Sequence, residues 1–301
     1  MFKKLAALLL ALMMLPIFAL AEEGCVINLI DNPEAEFAFE EGKDIFTIVY
    51  PNVTGSDAAI LQYQDEVWMI DCSTDDQSPK FVVPTLEDLG ITHIDVAFNS
   101  HPHDDHITGF EFLDKQATIG KLIVAFDRNH NYTIQRTIHR LGKKNVGYEY
   151  TKDGDTFTMG DGGVKMTVIQ RLGGGFTDND KSAMLMIQYG DRTLFSPGDI
   201  ENRGQKALLT DPPACGVKAD VLKYPHHGHA PINQELFDLI DPEIVLISAH
   251  ETVADDGFNF IQRNNVPGIS TWYGIVRFRT DSNIWVVDRL PTRVQNGKNK
   301  K

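Results

Sequence analysis

The chemistry of this chain concentrates in Asn99-Ser100-His101-Pro102-His103-Asp104-Asp105-His106, where His101, His103, Asp105 and His106 put four ligand-type side chains within six positions. In an extended segment His101 and His103 alternate, so both imidazoles point the same way. Asp105 and His106 come after the turn and can serve a second ion about 3.5–4 Å from the first, as in two-metal hydrolytic sites. Neutral imidazole combined with carboxylate suits zinc or another first-row divalent ion. Cysteine chemistry has no comparable support. Cys25, Cys72 and Cys215 form no CxxC or Cys-x-His arrangement, and three cysteines are too few for a disulfide scaffold.

The elements around this segment must hold it rigidly. Ile94–Phe98 reads as a buried strand running straight into the histidine cluster, the place where α/β folds put ligand-bearing loops. Before it, Phe46–Tyr50, Ala58–Tyr63 and Val67–Ile70 read as a meander, and Ser78–Leu89 as a helix containing Pro84. After it come a strand over Leu122–Phe126, a helix over Tyr132–Leu141, and strands over Val164–Gln170, Met184–Tyr189 and Arg192–Phe195, the last two joined by a Gly190-Asp191 turn. Strands over Ala219–Tyr224 and Ile244–Ser248 flank a helix over Asn233–Ile240. Strand pairs at both ends with helices between them predict two sheets packed face to face with helices outside. No repeat interrupts the chain, so residues 44–290 are expected to form one domain, with an extension over 22–43 and a basic, fraying tail over 291–301.

The motif His101-x-His103-x-Asp105-His106 resembles the hallmark of the metallo-β-lactamase superfamily. Three further stretches follow the family's order: Trp68-Met69-Ile70-Asp71-Cys72, Phe195-Ser196-Pro197-Gly198-Asp199, and Leu222-Lys223-Tyr224-Pro225-His226-His227-Gly228. The last two, with Asn179-Asp180-Lys181-Ser182 and Arg279-Thr280-Asp281, most resemble the branch that holds the metallo-hydrolase domain of competence DNA-uptake channels and secreted phosphorylcholine esterases. The resemblance implies a four-layer αββα sandwich of two mixed sheets and two divalent ions, zinc foremost with manganese or iron as alternatives.

Carried over residue by residue, it gives His101 and His103 to metal one, Asp105 and His106 to metal two, and Asp199 to the bridge between them. His227 completes metal two, with His226 as the alternative or as a contact to the leaving group. Asp105 and His226 are thereby the candidate catalytic groups. Asp71 is read as a hydrogen-bond acceptor that organises the loop, and His250 as a further candidate ligand at the end of its strand. Many relatives supply a third histidine to metal one, but no histidine lies between His139 and His226; Asn179 and Ser182 match the branch's Asn-x-x-Ser pattern there. His93, His130 and His139 are read as surface or packing residues. Gly173-Gly174-Gly175 lacks the Lys-Ser/Thr of a phosphate loop and is expected to flank the site.

Charge narrows the substrate. The 301 residues carry 28 Lys+Arg against 42 Asp+Glu, a net −14. Met1-Phe2-Lys3-Lys4, the apolar run Leu5–Leu20 and Ala19-Leu20-Ala21 read as a secretory signal peptide over 1–21, cleaved after Ala21. Loss of Lys3 and Lys4 leaves 26 basic residues against 42 acidic, or −16, on a secreted chain without stable membrane insertion. Such a surface is unsuited to tracking extended duplex nucleic acid, although Lys181, Arg192, Arg203 and Lys223 are expected to form a local positive rim. The function expected from the resemblance is hydrolysis by a metal-bound hydroxide of a small-molecule or cell-surface phosphodiester. Lactone or lactam hydrolysis, and a non-catalytic metal-dependent binder of the same fold, are the alternatives.

Overall fold

A computed structural model describes residues 25–27 and 39–293; the expected signal peptide and the end of the basic tail lie outside the described residues. In chain order the strands are β1 (Cys25–Ile27), β2 (Phe46–Tyr50), β3 (Ala58–Tyr63), β4 (Glu66–Cys72), β5 (His93–Asn99), β6 (Thr118–Val124), β7 (Gly147–Tyr150) and β8 (Thr156–Met159). The rest are β9 (Val164–Ile169), β10 (Met184–Tyr189), β11 (Arg192–Ser196), β12 (Val221–Lys223), β13 (Ile244–Ile247), β14 (Gly268–Ser270), β15 (Ile275–Thr280) and β16 (Trp285–Leu290). The α-helices are α1 (Val83–Asp88), α2 (Asp104–Ile107), α3 (Tyr132–Gly142), α4 (Asn202–Thr210), α5 (Gln234–Ile240) and α6 (Asp255–Arg263).

Among the described residues the strands form two mixed sheets, ordered β1-β16-β15-β2-β3-β4-β5-β6-β7 and β14-β13-β12-β11-β10-β9-β8. Each joins an antiparallel part to a parallel part, β4-β5-β6-β7 in the first and β11-β12-β13-β14 in the second. Alternation along the strands gives each sheet two apolar faces, and the buried residues fall into three clusters accordingly. Ile48, Leu61, Phe98, Leu185, Leu246 and Phe278 belong to the layer between the sheets. Val82, Leu86, Phe110, Ile134 and Ile138 pack helices onto the first sheet, while Leu208, Leu236, Phe237 and Phe260 do the same for the second. This is the expected αββα sandwich.

Several boundaries differ from the sequence reading for local reasons. The helix expected over Ser78–Leu89 opens with a π-helical turn at Ser78–Val82 before α1, which places Pro84 in the first α-helical turn, where its missing N–H costs nothing. Strand β6 begins at Thr118, four residues earlier than its apolar run, because its polar start pairs in parallel with His93 and Ile94 of β5. The strand expected over Ala219–Tyr224 retains only β12. The Gly190-Asp191 hairpin forms as read, with Tyr189 opposite Arg192.

The loop after β5 is anchored by its own continuation. A short 3-10 segment (Thr108–Lys115) carries Glu111, which is 5% exposed. Its carboxylate accepts from Arg136 Nε (3.0 Å) and Thr137 Oγ1 (2.8 Å) and pairs with Arg140, all on α3. At the start of α3, Asn131 caps Ile134 N (3.0 Å), and Thr133 Oγ1 donates to Asp104 Oδ1 (2.8 Å), so the helix is tied to the histidine loop at both ends of that contact. Gly109 permits the close approach: a Cβ there would lie 1.7 Å from the Cys72 carbonyl at the end of β4.

Candidate metal centre

The site is assembled at the carboxyl ends of the parallel strands of both sheets, the position where open α/β sheets bind ligands. His101, His103, Asp105 and His106 follow β5, Asp199 follows β11, His227 follows β12 and Ser248 follows β13. Asp57 enters from just before β3. His101, His106, Asp199 and His227 are each at most 1% exposed.

Hydrogen bonding selects one nitrogen on each buried ring. His106 Nδ1 lies 2.8 Å from Asp71 Oδ2, an acceptor that fixes the proton on Nδ1 and leaves the Nε2 lone pair free. Ser100 Oγ donates to Asp71 Oδ2 (2.6 Å) and so accepts from His101 Nδ1 (3.1 Å), giving that ring the same tautomer. Ser248 Oγ donates to Asp57 Oδ1 (2.6 Å), and His227 Nδ1 faces both, at 3.1 Å from Asp57 Oδ1 and 3.0 Å from Ser248 Oγ.

The three Nε2 atoms thus point the other way, toward Asp199 Oδ2: His106 at 3.1 Å, His227 at 3.2 Å and His101 at 4.0 Å. Asp105 Oδ2 lies 3.3 Å from His227 Nε2 and 3.9 Å from His106 Nε2. His103 Nδ1 closes the other side, 3.1 Å from His101 Nε2. Asp57, His106, Asp199 and His227 offer ligand atoms all within 4.8 Å of one another. Of these, Asp57 faces the Nδ1 side of His227 and is held by Lys223 and Ser248. A ring cannot turn both nitrogens to one ion, so Asp57 orients His227 while Asp105 and Asp199 face the Nε2 donors.

Protonation follows this crowding. Burial opposes charging His106, yet Asp199 and Asp71 outweigh it and hold its pKa well above the usual imidazole value. For His227 burial is likewise overcome, by Asp199 and Asp57, and the pKa is pushed up to about 10. Burial and the neighbouring His106 drive His101 the opposite way. Burial alone would raise the carboxyls of Asp199, Asp105 and Asp57, but the adjacent cationic groups hold all three well below the ordinary range. Two imidazoles therefore keep protons as counter-charges to a cluster of carboxylates. The buried His227 Nε2 and Asp199 Oδ1 nevertheless have no hydrogen-bond partner. A divalent ion fits this donor set, because it supplies the positive charge and occupies the lone pairs at once.

His226 and His227 both sit at positive φ, 48° and 54°, a conformation costing a non-glycine residue roughly 1–2 kcal/mol. The turn sends the two rings to different places. His227 enters the cluster, while His226, 30% exposed, lies with Nδ1 3.5 Å from Glu201 Oε1 at the wall of a cavity of about 550 Å³ lined also by Asn202, His229 and Pro231. Burial lowers the His226 pKa.

The remaining sequence candidates are placed as follows. Asp71 is the loop-organising acceptor, taking bonds from Asn99 Nδ2 (2.9 Å) and Ser100 N (2.8 Å) besides those above. Asn179 donates to Glu201 Oε1 (3.0 Å), and its buried Oδ1 has no hydrogen-bond partner. His250 stands apart from the cluster: its Nδ1 is 2.7 Å from Thr252 Oγ1 and its ring packs edge-on against Trp272. His130 joins Asp178 across two loops at 2.8 Å. The expected positive rim does not form at Lys223, which is 2% exposed and paired with Asp57; Arg192 and Lys181 lie 3.7 and 3.8 Å from Asp220 and Asp178, and Arg203 donates to the Gly175 carbonyl, tying the glycine run to α4. Sequence reasoning missed Asp57 and Ser248 as site residues. The available signal was a lysine in the otherwise apolar Val221-Leu222-Lys223-Tyr224, which demands a buried acidic partner.

The family model of the metallo-beta-lactamase superfamily matches residues 51–250. No curated protein matches the chain. Among solved structures, a candidate metal-dependent hydrolase from Parabacteroides distasonis ATCC 8503 is similar at 16% identity and a TM-score of 0.49, covering 78% of this chain and 96% of that one. CmlA, a diiron beta-hydroxylase from Streptomyces venezuelae, is 12% identical with a TM-score of 0.49, covering 82% of this chain and 54% of its own. A diphosphatase of the PhnP family is 14% identical with a TM-score of 0.40, covering 67% and 85%. At these levels the likenesses carry no argument about substrate.

Proposed function

The chain belongs to the metallo-beta-lactamase superfamily, and from that premise we propose that it is an exported metal-dependent hydrolase acting on a small or cell-surface phosphodiester. The observation that carries the reading is the convergence of the His106 and His227 Nε2 atoms on one oxygen of Asp199, with Asp105 beside them. Divalent ions bound there supply Lewis acidity toward the scissile oxygen and acidify a water at neutral pH. His101 and His103 provide the second pair of ring nitrogens, 3.1 Å apart. Asp71 and Asp57 keep the protons on the Nδ1 atoms, so no donor has to reorient when substrate enters. His226, partly exposed beside His227 and 3.5 Å from Glu201 Oε1, would pass a proton to the leaving alkoxide in this reading. Support for a phosphodiester comes from the Pro225-His226-His227-Gly228 and Asn179–Ser182 motifs, and the acidic surface favours a compact substrate over duplex nucleic acid.

The test is turnover of bis-p-nitrophenyl phosphate by the purified chain loaded with Zn²⁺ or Mn²⁺, beside lactone and lactam panels. Hydrolysis of the phosphodiester that is lost in Asp199→Ala and His103→Ala supports the reading. Turnover confined to lactones or lactams, or no turnover by a protein shown to bind two ions, overturns it.

A further inference from the structure

Lys223 is the least expected charge in the site. It sits at the end of β12, a three-residue parallel strand of the second sheet, among fully buried apolar neighbours Val221, Leu222 and Tyr224. Burial of an ammonium in such surroundings is costly unless it is closely paired. Its Nζ contacts Asp57 Oδ2 and lies 3.8 Å from Asp199 Oδ1, so one cation faces two carboxylates with different tasks. Asp57 uses its other oxygen, Oδ1, to accept from Ser248 Oγ (2.6 Å) and to face His227 Nδ1 (3.1 Å). Asp199 uses its other oxygen, Oδ2, to face the Nε2 atoms of His106 and His227. On Asp199 the ammonium faces the oxygen turned away from the imidazole nitrogens, and on Asp57 it contacts Oδ2, which lies 4.0 Å from His106 Nδ1 and leaves Oδ1 to His227.

We propose that Lys223 is a positioning residue for the metal centre. It fixes Asp57 as the hydrogen-bond acceptor of His227, keeping that carboxylate from coordinating the ion, and presents Asp199 by its Oδ2 edge. The inference rests on reading the cluster as a metal site, and the chemistry it assigns is electrostatic. With Lys223 gone, Asp57 is a buried carboxylate without its counter-charge beside a dication, and it is drawn toward the ion. The His227 ring then loses the acceptor that sets its tautomer. With Asp57 neutralised alone, an unpaired ammonium is left close to the ion and opposes its binding. Neutralising both together removes the conflict, because an asparagine carbonyl at position 57 still accepts from His227 Nδ1.

A double-mutant cycle on Zn²⁺ affinity tests this, using competition with a chelator on the purified chain, with metal content by elemental analysis and the melting of the metal-free proteins followed by circular dichroism. Lys223→Met and Asp57→Asn should each weaken Zn²⁺ binding by about 10- to 100-fold, the range for residues that orient metal ligands. The Lys223→Met/Asp57→Asn protein should bind more tightly than either single variant. Losses that multiply in the double variant, or a Lys223→Met protein that binds as tightly as the parent or more so, overturn the proposal. Where Lys223→Met does not fold, the double variant decides: folded and metal-binding supports the pair, unfolded overturns it. A parent chain that binds no Zn²⁺ overturns the metal reading itself, a result distinct from both.

Discussion

The two halves of the metal centre are built to different standards. On one side His106 and His227 bring Nε2 atoms to 3.1 and 3.2 Å from Asp199 Oδ2, with Asp105 beside them and each ring's Nδ1 engaged by a buried carboxylate. On the other, His101 and His103 stand 3.1 Å apart with Asp199 Oδ2 at 4.0 Å from His101. His101 reaches Asp71 only through Ser100, and Asn179 is directed to Glu201. The complete side draws on both sheets, whereas His101 and His103 come from one loop. Affinity should therefore be unequal: one ion would be held by donors fixed from two directions, the other by His101 and His103 from a single loop.

The largest effect that sharpens this comparison is expected from His227→Ala, which should cost the tightly held ion more than about 100-fold in affinity, exceeding the range seen when only an orienting residue is lost. His103→Ala should leave that ion in place after desalting and lose the second. Elemental analysis of the two variants side by side reads the difference, and equal loss of both ions in His103→Ala would break the asymmetry. Asp71→Asn comes next. It weakens the partner of His106 directly and that of His101 through Ser100, so both ions should loosen, by about tenfold at the lower end of that range. An effect on one ion alone would show that the halves are oriented independently.

The smallest effect concerns pH and isolates the complete half. In the metal-free protein the His227 pKa is pushed up to about 10 by Asp199 and Asp57 against the opposing effect of burial. A raised folded-state pKa means that the imidazolium stabilises the fold fully below its unfolded value near 6.5 and ceases to do so as pH rises through about 10. Metal-free protein should thus lose thermal stability steadily from pH 7 to 10, while zinc affinity climbs over the same window because fewer protons compete for Nε2. Melting curves of metal-free protein that stay flat across that range would contradict the proton's role as the ion's stand-in.

Much of this was legible in the primary structure. The spacing His101-x-His103-x-Asp105-His106 follows a run of apolar residues long enough for one strand, so local pattern alone placed four donors directly after that strand. The Gly190-Asp191 hairpin and helix α3, with apolar Ile134, Ile138 and Leu141, were readable for the same reason, since hydrophobic period and turn chemistry are local properties. Strands β7 and β8 were not, because Gly147–Tyr150 and Thr156–Met159 are largely exposed edge elements with weak alternation. Helix α4 was missed because its apolar positions are few and it carries Gly204 in its first turn, pressed against Asp180.

What the sequence determined by itself was the donor inventory, the αββα class and the acidic character of the surface, all fixed by residue type and short-range order. Which of two adjacent histidines enters the cluster was decided by the left-handed turn at His226 and His227, a backbone choice that their identities do not reveal. Only the tertiary structure could bring Asp57 to His227 across 170 positions and bury Lys223 between Asp57 and Asp199. Charges of this kind acquire their meaning from partners that the packing of two sheets supplies, and no pattern along one strand encodes them.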